Sequence, residues 1–265
     1  TVSLDTGEVT ERATVGHTPM APCVSADGAA LYVCNRFDND VSALDLETWQ
    51  VTDRLPVLRE PVAAVLAADG SRLLVANHLP AGASDGAYVA AAVTVIDTGT
   101  GAVPDPIELP NGSTGLRGIC RSPDGRHAYG THMLARYHMP TTQLERGWMN
   151  TNALSVIDTA AGRRINTVLV DDVDLGAANP WGVACSPDGR TLFVAHAGTH
   201  EVSVIDRAAL HARLDKVASG EAVTPVSRTP EDVCNDLSFL VGLRERMRLE
   251  GKGPRGIVAD DAAVY

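Results

Sequence analysis

One stretch recurs along the whole chain, and that recurrence restricts the fold more than any other feature. Its clearest copy is Cys185-Ser186-Pro187-Asp188-Gly189-Arg190-Thr191-Leu192-Phe193-Val194-Ala195-His196, running on to Val202-Ser203-Val204-Ile205-Asp206. Proline presets the first turn torsion, aspartate bonds back to its own backbone, and glycine takes the left-handed position. Runs of β-branched and aliphatic residues of strand length flank the turn. The unit therefore reads as strand, tight turn, strand, short loop, strand. One such meander cannot bury its apolar faces alone, whereas a stack of them can.

The turn returns at Ala26-Asp27-Gly28, Ala68-Asp69-Gly70, Pro123-Asp124-Gly125 and, degenerately, Ala259-Asp260-Asp261. The following strand returns as Leu31 to Asn35, Leu73 to Asn77 and His127 to Thr131, and third strands end in Asp5, Asp45, Asp97, Asp158 and Asp206. Successive turns lie 42, 55, 64 and 72 residues apart. A unit of about 42 residues with growing insertions is the blade length of a β-propeller. The expected fold is all-β, a single propeller domain over residues 1–265, built of four-stranded antiparallel blades. Complete blades are expected over Pro19 to Val57, Pro61 to Leu109, Leu116 to Val170 and Pro180 to Leu249. Residues 1–16 read as third and fourth strands and 254–265 as inner strand, so about five blades are visible, the first and last incomplete. These ends either complete one composite blade or belong to a longer chain, and the stop at Tyr265 inside a strand favours the longer chain.

Insertions fall at definable places. Leu79 to Ala92 is rich in Ala, Gly and Pro and reads as a loop. Met133 to Asn152 occupies the same position in blade three and is apolar and aromatic in patches. Blade four carries a short helical insertion: Ala208 to Val217, then a second helix starting at Thr229-Pro230-Glu231-Asp232 and expected to end near Gly242.

Composition excludes some functions. A net charge of −11 without a basic run argues against a nucleic-acid surface. No apolar run approaches the 18 or so residues of a membrane span. Five cysteines, an odd number with no CxxC or CxxCH, read as small buried hydrophobes, and no haem is attached within these residues.

The loops between strands two and three, and those between blades, emerge on one face around the mouth of the central channel. At the ends of the second strands this register places Asn35, Asn77, Thr131 and His196, followed by Arg36, His78, His132 and Ala197, with His138 and His200 in the loops beyond. Imidazoles converging in a concave mouth could bind a metal or relay protons. No histidine pair at helical spacing fixes two ligands, so a polar binding face is expected rather than a metal site. In the blade-to-blade loops Arg117 and Arg255 stand at equivalent places before a glycine, with Trp181 at the matching place in blade four. Two guanidiniums and an indole could hold an anionic or aromatic group, or simply fill the channel top. The aspartates ending the third strands are expected to cap turns. With no nucleophile elbow and no phosphate loop, no catalytic residue is expected.

The tandem unit of Ser-Pro-Asp-Gly, then Leu31-Tyr32-Val33-Cys34-Asn35 or Leu73-Leu74-Val75-Ala76-Asn77, then Val-Ser-Val-Ile-Asp, resembles the YVTN family of β-propeller repeats, which includes surface-layer-like and periplasmic proteins. The resemblance implies an exported protein, periplasmic or at the cell surface, usually seven-bladed. A narrower likeness, in Thr131 to Arg136, Thr151-Asn152, Asp236 to Leu243 and Gly251 to Gly256, is to propellers fused to a cytochrome-c-peroxidase-like haem domain. It implies that a haem c would lie outside residues 1–265. The expected function is thus an exported scaffold that binds a small ligand, a haem domain or another protein through His78, His132, His138, His196, His200, Arg117, Arg255 and Trp181. The alternative is the propeller part of a haem-dependent periplasmic oxidoreductase.

Overall fold

The computed structural model describes residues 1–135 and 149–265. Its regular structure is dominated by four antiparallel meanders, each with its strands in simple chain order. Blade one holds β1 (Pro19–Val24), β2 (Ala30–Asn35), β3 (Asp40–Asp45) and β4 (Val51–Pro56). Blade two holds β5 (Pro61–Leu66), β6 (Arg72–Asn77), β7 (Ala92–Asp97) and β8 (Ile107–Glu108). Blade three holds β9 (Ser113–Arg121), β10 (His127–Ala135), β11 (Asn150–Asp158) and β12 (Arg163–Leu169). Blade four holds β13 (Pro180–Cys185), β14 (Thr191–His196), β15 (Glu201–Asp206) and β16 (Arg244–Arg248).

Turn chemistry explains the repetition. The Ser25, Ser122 and Ser186 hydroxyls donate to Asp27, Asp124 and Asp188, and the same carboxylates accept the backbone N–H of Ala29, Arg126 and Arg190. At the third-strand ends, Asp45 and Asp97 accept from the N–H of Thr48 and Thr100 at 2.7 and 2.8 Å. In blade four the equivalent Asp206 accepts from Ala209 N at 2.9 Å and so caps α1 (Arg207–Ala218). Asp158 accepts from Ala161 N at 2.9 Å in blade three, so one capping residue starts a hairpin turn in three blades and a helix in the fourth.

The core lies between blades. Tyr32, Cys34 and Val41 meet Leu73, Val75 and Ile96; Leu74 and Val93 meet Leu116 and Ile119; Tyr129, Leu154 and Val156 meet Val183, Leu192 and Val194. Helix α1 adds Leu210, Leu214 and Val217 to the last cluster. Each fully buried Leu or Val contributes roughly 1.5–3 kcal/mol. None of the five cysteines is in a disulfide. Among the described residues no helix is long and apolar enough to cross a membrane.

Four expectations need correction. The second helix of blade four is a six-residue 3₁₀ helix, Pro230–Asn235, and stops well before Gly242. Asp236 ends it: its carboxylate gathers the hydroxyls of Thr224, Ser227 and Ser238, which folds the chain into turns. The blade-three insertion does not begin at Met133, because the ladder continues from Met133↔Asn152 to Ala135↔Asn150 and makes that blade taller. The terminal segments expected as strands form only isolated bridges, Val2↔Val9 and Ala259↔Val264. Finally, the register of β10 is one residue later than expected. Ser42, Thr94, Ser155 and Ser203 pair with Val33, Val75, Gly130 and Val194. The residue two positions on, which reaches back to each hydroxyl, is therefore Asn35, Asn77, His132 or His196, and not Thr131.

Candidate functional site

The inner strands share one way of starting. Thr18, Glu60, Gly115, Asn179 and Gly253 all adopt left-handed φ, between 53° and 65°. Each precedes a proline or Leu116, and then comes Met20, Val62, Arg117, Trp181 or Arg255. In all four blades the pairing register shifts at this point, between Met20 and Cys23, Pro61 and Ala63, Thr131 and Met133, and Pro180 and Val183. A bulge of this kind re-aims a side chain out of the sheet pattern. Four of these side chains line one cavity of about 160 Å³: Met20, Val62, Arg117 and Trp181, with Arg36 and His78.

Close backbone approach fixes the geometry. A Cβ on Gly118 would stand 2.3 Å from the Trp181 carbonyl oxygen, and one on Gly182 2.6 Å from that of Arg255. Only glycine lets each inner strand press against the next. The Thr131 hydroxyl donates to the same Trp181 carbonyl at 2.6 Å. Held this way, Trp181 carries two cations: the guanidinium carbons of Arg117 and Arg255 lie 4.5 and 4.7 Å from its ring centroid.

Charge at the mouth is unevenly compensated. Arg36 bonds Glu60 through Nε and Nη2 at 3.0 and 2.7 Å. Arg117 has no ion pair among the described residues, and its buried Nε and Nη1 lack hydrogen-bond partners there. Burial pushes its pKa down, and the positive charges of Arg255 and Arg36 push the same way. Leaving such donors unmade costs about 1–3 kcal/mol or more. His78 Nδ1–H donates to the Leu116 carbonyl at 3.3 Å, so neutral His78 keeps Nε2 as an acceptor. Burial lowers the His78 pKa.

Of the residues expected to form the site, His78, Arg117 and Trp181 line this cavity and Arg255 stacks on Trp181. His132 and His196 do not reach it; both are fully buried. His132 Nδ1–H donates to the Met133 carbonyl at 3.1 Å, and Nε2 accepts from Ser155 at 2.8 Å. His196 Nδ1–H donates to Ala177 at 3.0 Å, and Nε2 accepts from Ser203 at 2.8 Å. Burial away from water lowers each pKa to about 4, although the backbone carbonyl that each Nδ1–H meets favours the charged form. His200 is a clamp: its Nδ1 accepts from Gly253 N at 3.0 Å and so anchors the loop that leads to Arg255. His138 lies outside the described residues.

Sequence reasoning missed Met20 and Val62. Their signal was positional, since each follows the proline that opens an inner strand, but a search for polar groups passes over them. Larger clefts run along blade edges, one of about 770 Å³ beside Arg190, Asp206 and Glu245 and one of about 570 Å³ beside Val2, Val9 and Trp49. Neither is lined by a buried polar atom lacking a partner. Among the described residues no group of three His, Cys, Asp or Glu side chains could hold a metal ion.

No family model matches the sequence. Hydrazine synthase subunit beta of Kuenenia stuttgartiensis is 30% identical over 115 residues, 43% of this chain and 30% of that protein. The chain's match thus spans under a third of the length of that curated relative. A solved chain of Kuenenia stuttgartiensis hydrazine synthase superposes with a TM-score of 0.60 at 24% identity, covering 97% of this chain and 82% of that one. The β-propeller domain of Myceliophteria thermophila Cps50 (Swd1) superposes at 0.54 and 14% identity, covering 77% and 57%. These likenesses establish the fold as a β-propeller of four-stranded blades.

Proposed function

We propose that the chain is a propeller scaffold that docks a ligand or a partner chain through its channel-mouth face, as part of a larger assembly. One observation carries this reading: Arg117, Trp181 and Arg255, equivalent residues of successive units, stack together, and Arg117 Nε and Nη1 are buried without a hydrogen-bond partner among the described residues. The partial likeness to a protein named as a subunit of hydrazine synthase supports membership of a multi-subunit assembly. The repeat's resemblance to exported YVTN propellers supports a periplasmic or surface location, which cell fractionation would test.

The sequence contains a convenient probe. It has two lysines: exposed Lys252 stands next to the loop that carries Arg255, and Lys216 pairs with Glu221 on α1. Amine-directed cross-linking of the assembly from native cells should therefore link partners to Lys252 and spare Lys216. The Arg117→Ala, Arg255→Ala double variant should lose those links. Links confined to Lys216, or unchanged in the double variant, would refute docking at the mouth.

The alternative, a propeller serving a haem-dependent oxidoreductase, must place its haem elsewhere. Residues 1–265 hold no CxxCH, and the mouth cavity of about 160 Å³ is smaller than the 300–1,000 Å³ of ordinary ligand pockets. A CxxCH in the full reading frame, with a Soret band in the native protein, would favour that alternative.

A further inference from the structure

We infer that the channel mouth is an oxyanion site, in which Arg117, backed by Arg255 and Arg36, takes one carboxylate- or phosphate-sized group beside Trp181. The inference deepens the docking proposal and rests on its choice of face.

The argument begins with what the mouth lacks. Neither Arg117 nor Arg255 has an ion pair among the described residues, although the chain as a whole carries a net charge of −11. Glu60, the carboxylate at the mouth, is only 15% exposed and already chelated by Arg36. Among the described residues Arg117 therefore keeps two buried donors without acceptors. Stacking on Trp181 satisfies the faces of the guanidiniums, because the indole quadrupole attracts a cation. It does nothing for their in-plane N–H groups, which need an oxygen acceptor. Arg255, and more weakly the Glu60-paired Arg36, add positive charge beside half-buried Arg117, and an anion at Arg117 relieves that repulsion.

Size and shape select the class of ligand. A cavity of about 160 Å³ has room for roughly five waters at 30 Å³ each, hence for an inorganic oxyanion or a single carboxylate and not for a nucleotide. Met20 and Val62 supply an apolar wall, which suits a group with one charged end. The same chemistry could come from a free oxyanion or from a carboxylate of the docked chain.

Calorimetric titration of the purified protein with inorganic phosphate, and separately with acetate, in low-chloride buffer tests the inference. Saturable one-site binding is expected, weakened at least tenfold in Arg117→Ala and about threefold in Arg255→Ala, which is exposed and removes no core contact. His196→Asn, outside the cavity, should bind like the parent. Absence of saturable binding by either anion, or equal binding in Arg117→Ala and Arg255→Ala, would overturn it. If partner links at Lys252 persist while no anion binds, the oxyanion inference alone fails. If anions bind while links sit at Lys216, the docking proposal fails and the oxyanion site stands, with the free oxyanion as its source.

Discussion

Two tiers of polar residues, one on the second strands and one at the starts of the inner strands, differ in how much of their hydrogen-bonding capacity the fold uses. The inner tier is Asn35, Asn77, His132 and His196, one per blade and all fully buried. Each meets a hydroxyl on the neighbouring strand: Asn35 donates to Ser42 and Asn77 to Thr94, while His132 and His196 accept from Ser155 and Ser203. The mouth tier is Arg117, Trp181 and Arg255, in which two cations share one indole and two guanidinium nitrogens of Arg117 have no acceptor among the described residues. Polarity at the mouth of a channel is therefore a poor guide to function. The useful distinction is whether the hydrogen-bonding capacity is already spent inside the fold. The inner tier ties second strand to third within each blade and spends nearly all its capacity there, Asn77 Oδ1 being the exception, whereas the mouth tier leaves two Arg117 donors over among the described residues.

The sharpest way to break this comparison is pH. Histidines with a folded pKa near 4 and an unfolded pKa near 6.5 bind fewer protons folded than unfolded. Their stabilisation is complete above about pH 6.5 and is lost as pH falls toward 4. Between pH 7 and 4.5, His132 and His196 should each remove up to about 2.5 kcal/mol, and His211 of α1, whose Nε2 meets the Tyr129 hydroxyl at 2.7 Å and whose pKa burial also lowers to about 4, acts in the same direction. Denaturant melts across this range measure the slope; a flat profile would show these imidazoles to be accessible. Next in size is His196→Ala, which should cost about 3 kcal/mol by orphaning Ser203 and the Ala177 carbonyl and opening a cavity. His196→Asn should recover most of that loss, since blades one and two use asparagine at this position, and it should flatten the pH slope. Smallest is Arg117→Ala, expected to change stability by no more than about 1 kcal/mol, because removing donors that lack partners relieves a cost that offsets the lost stacking.

Much of this was legible in the sequence because turn chemistry and strand period are local. Ser186-Pro187-Asp188-Gly189 and its copies set the blade boundaries, and the equivalence of Arg117, Trp181 and Arg255 followed from their place before Gly118, Gly182 and Gly256. The inner tier was misread for two reasons. In blade three, Gly130 and Thr131 blur the apolar alternation, and a slip of one residue exchanges His132 for Thr131 and the blade interior for its other face. In blade four the register was right, but nothing local says that His196 meets Ser203 and the Ala177 carbonyl inside the fold. The early end of the 3₁₀ helix was hidden too, because the hydroxyls that Asp236 gathers include Thr224, twelve residues away. Met20 and Val62 were readable by position and passed over for their chemistry.

The central claim is that the two tiers divide the work, and one paired measurement tests it: phosphate affinity and thermal midpoint recorded together for Arg117→Ala and His196→Ala. The account predicts a crossed result. Arg117→Ala should lose at least tenfold in affinity with its midpoint nearly unchanged, and His196→Ala should lose several degrees while the folded protein binds as the parent does. The reverse pattern, affinity lost at His196 and stability lost at Arg117, would contradict it.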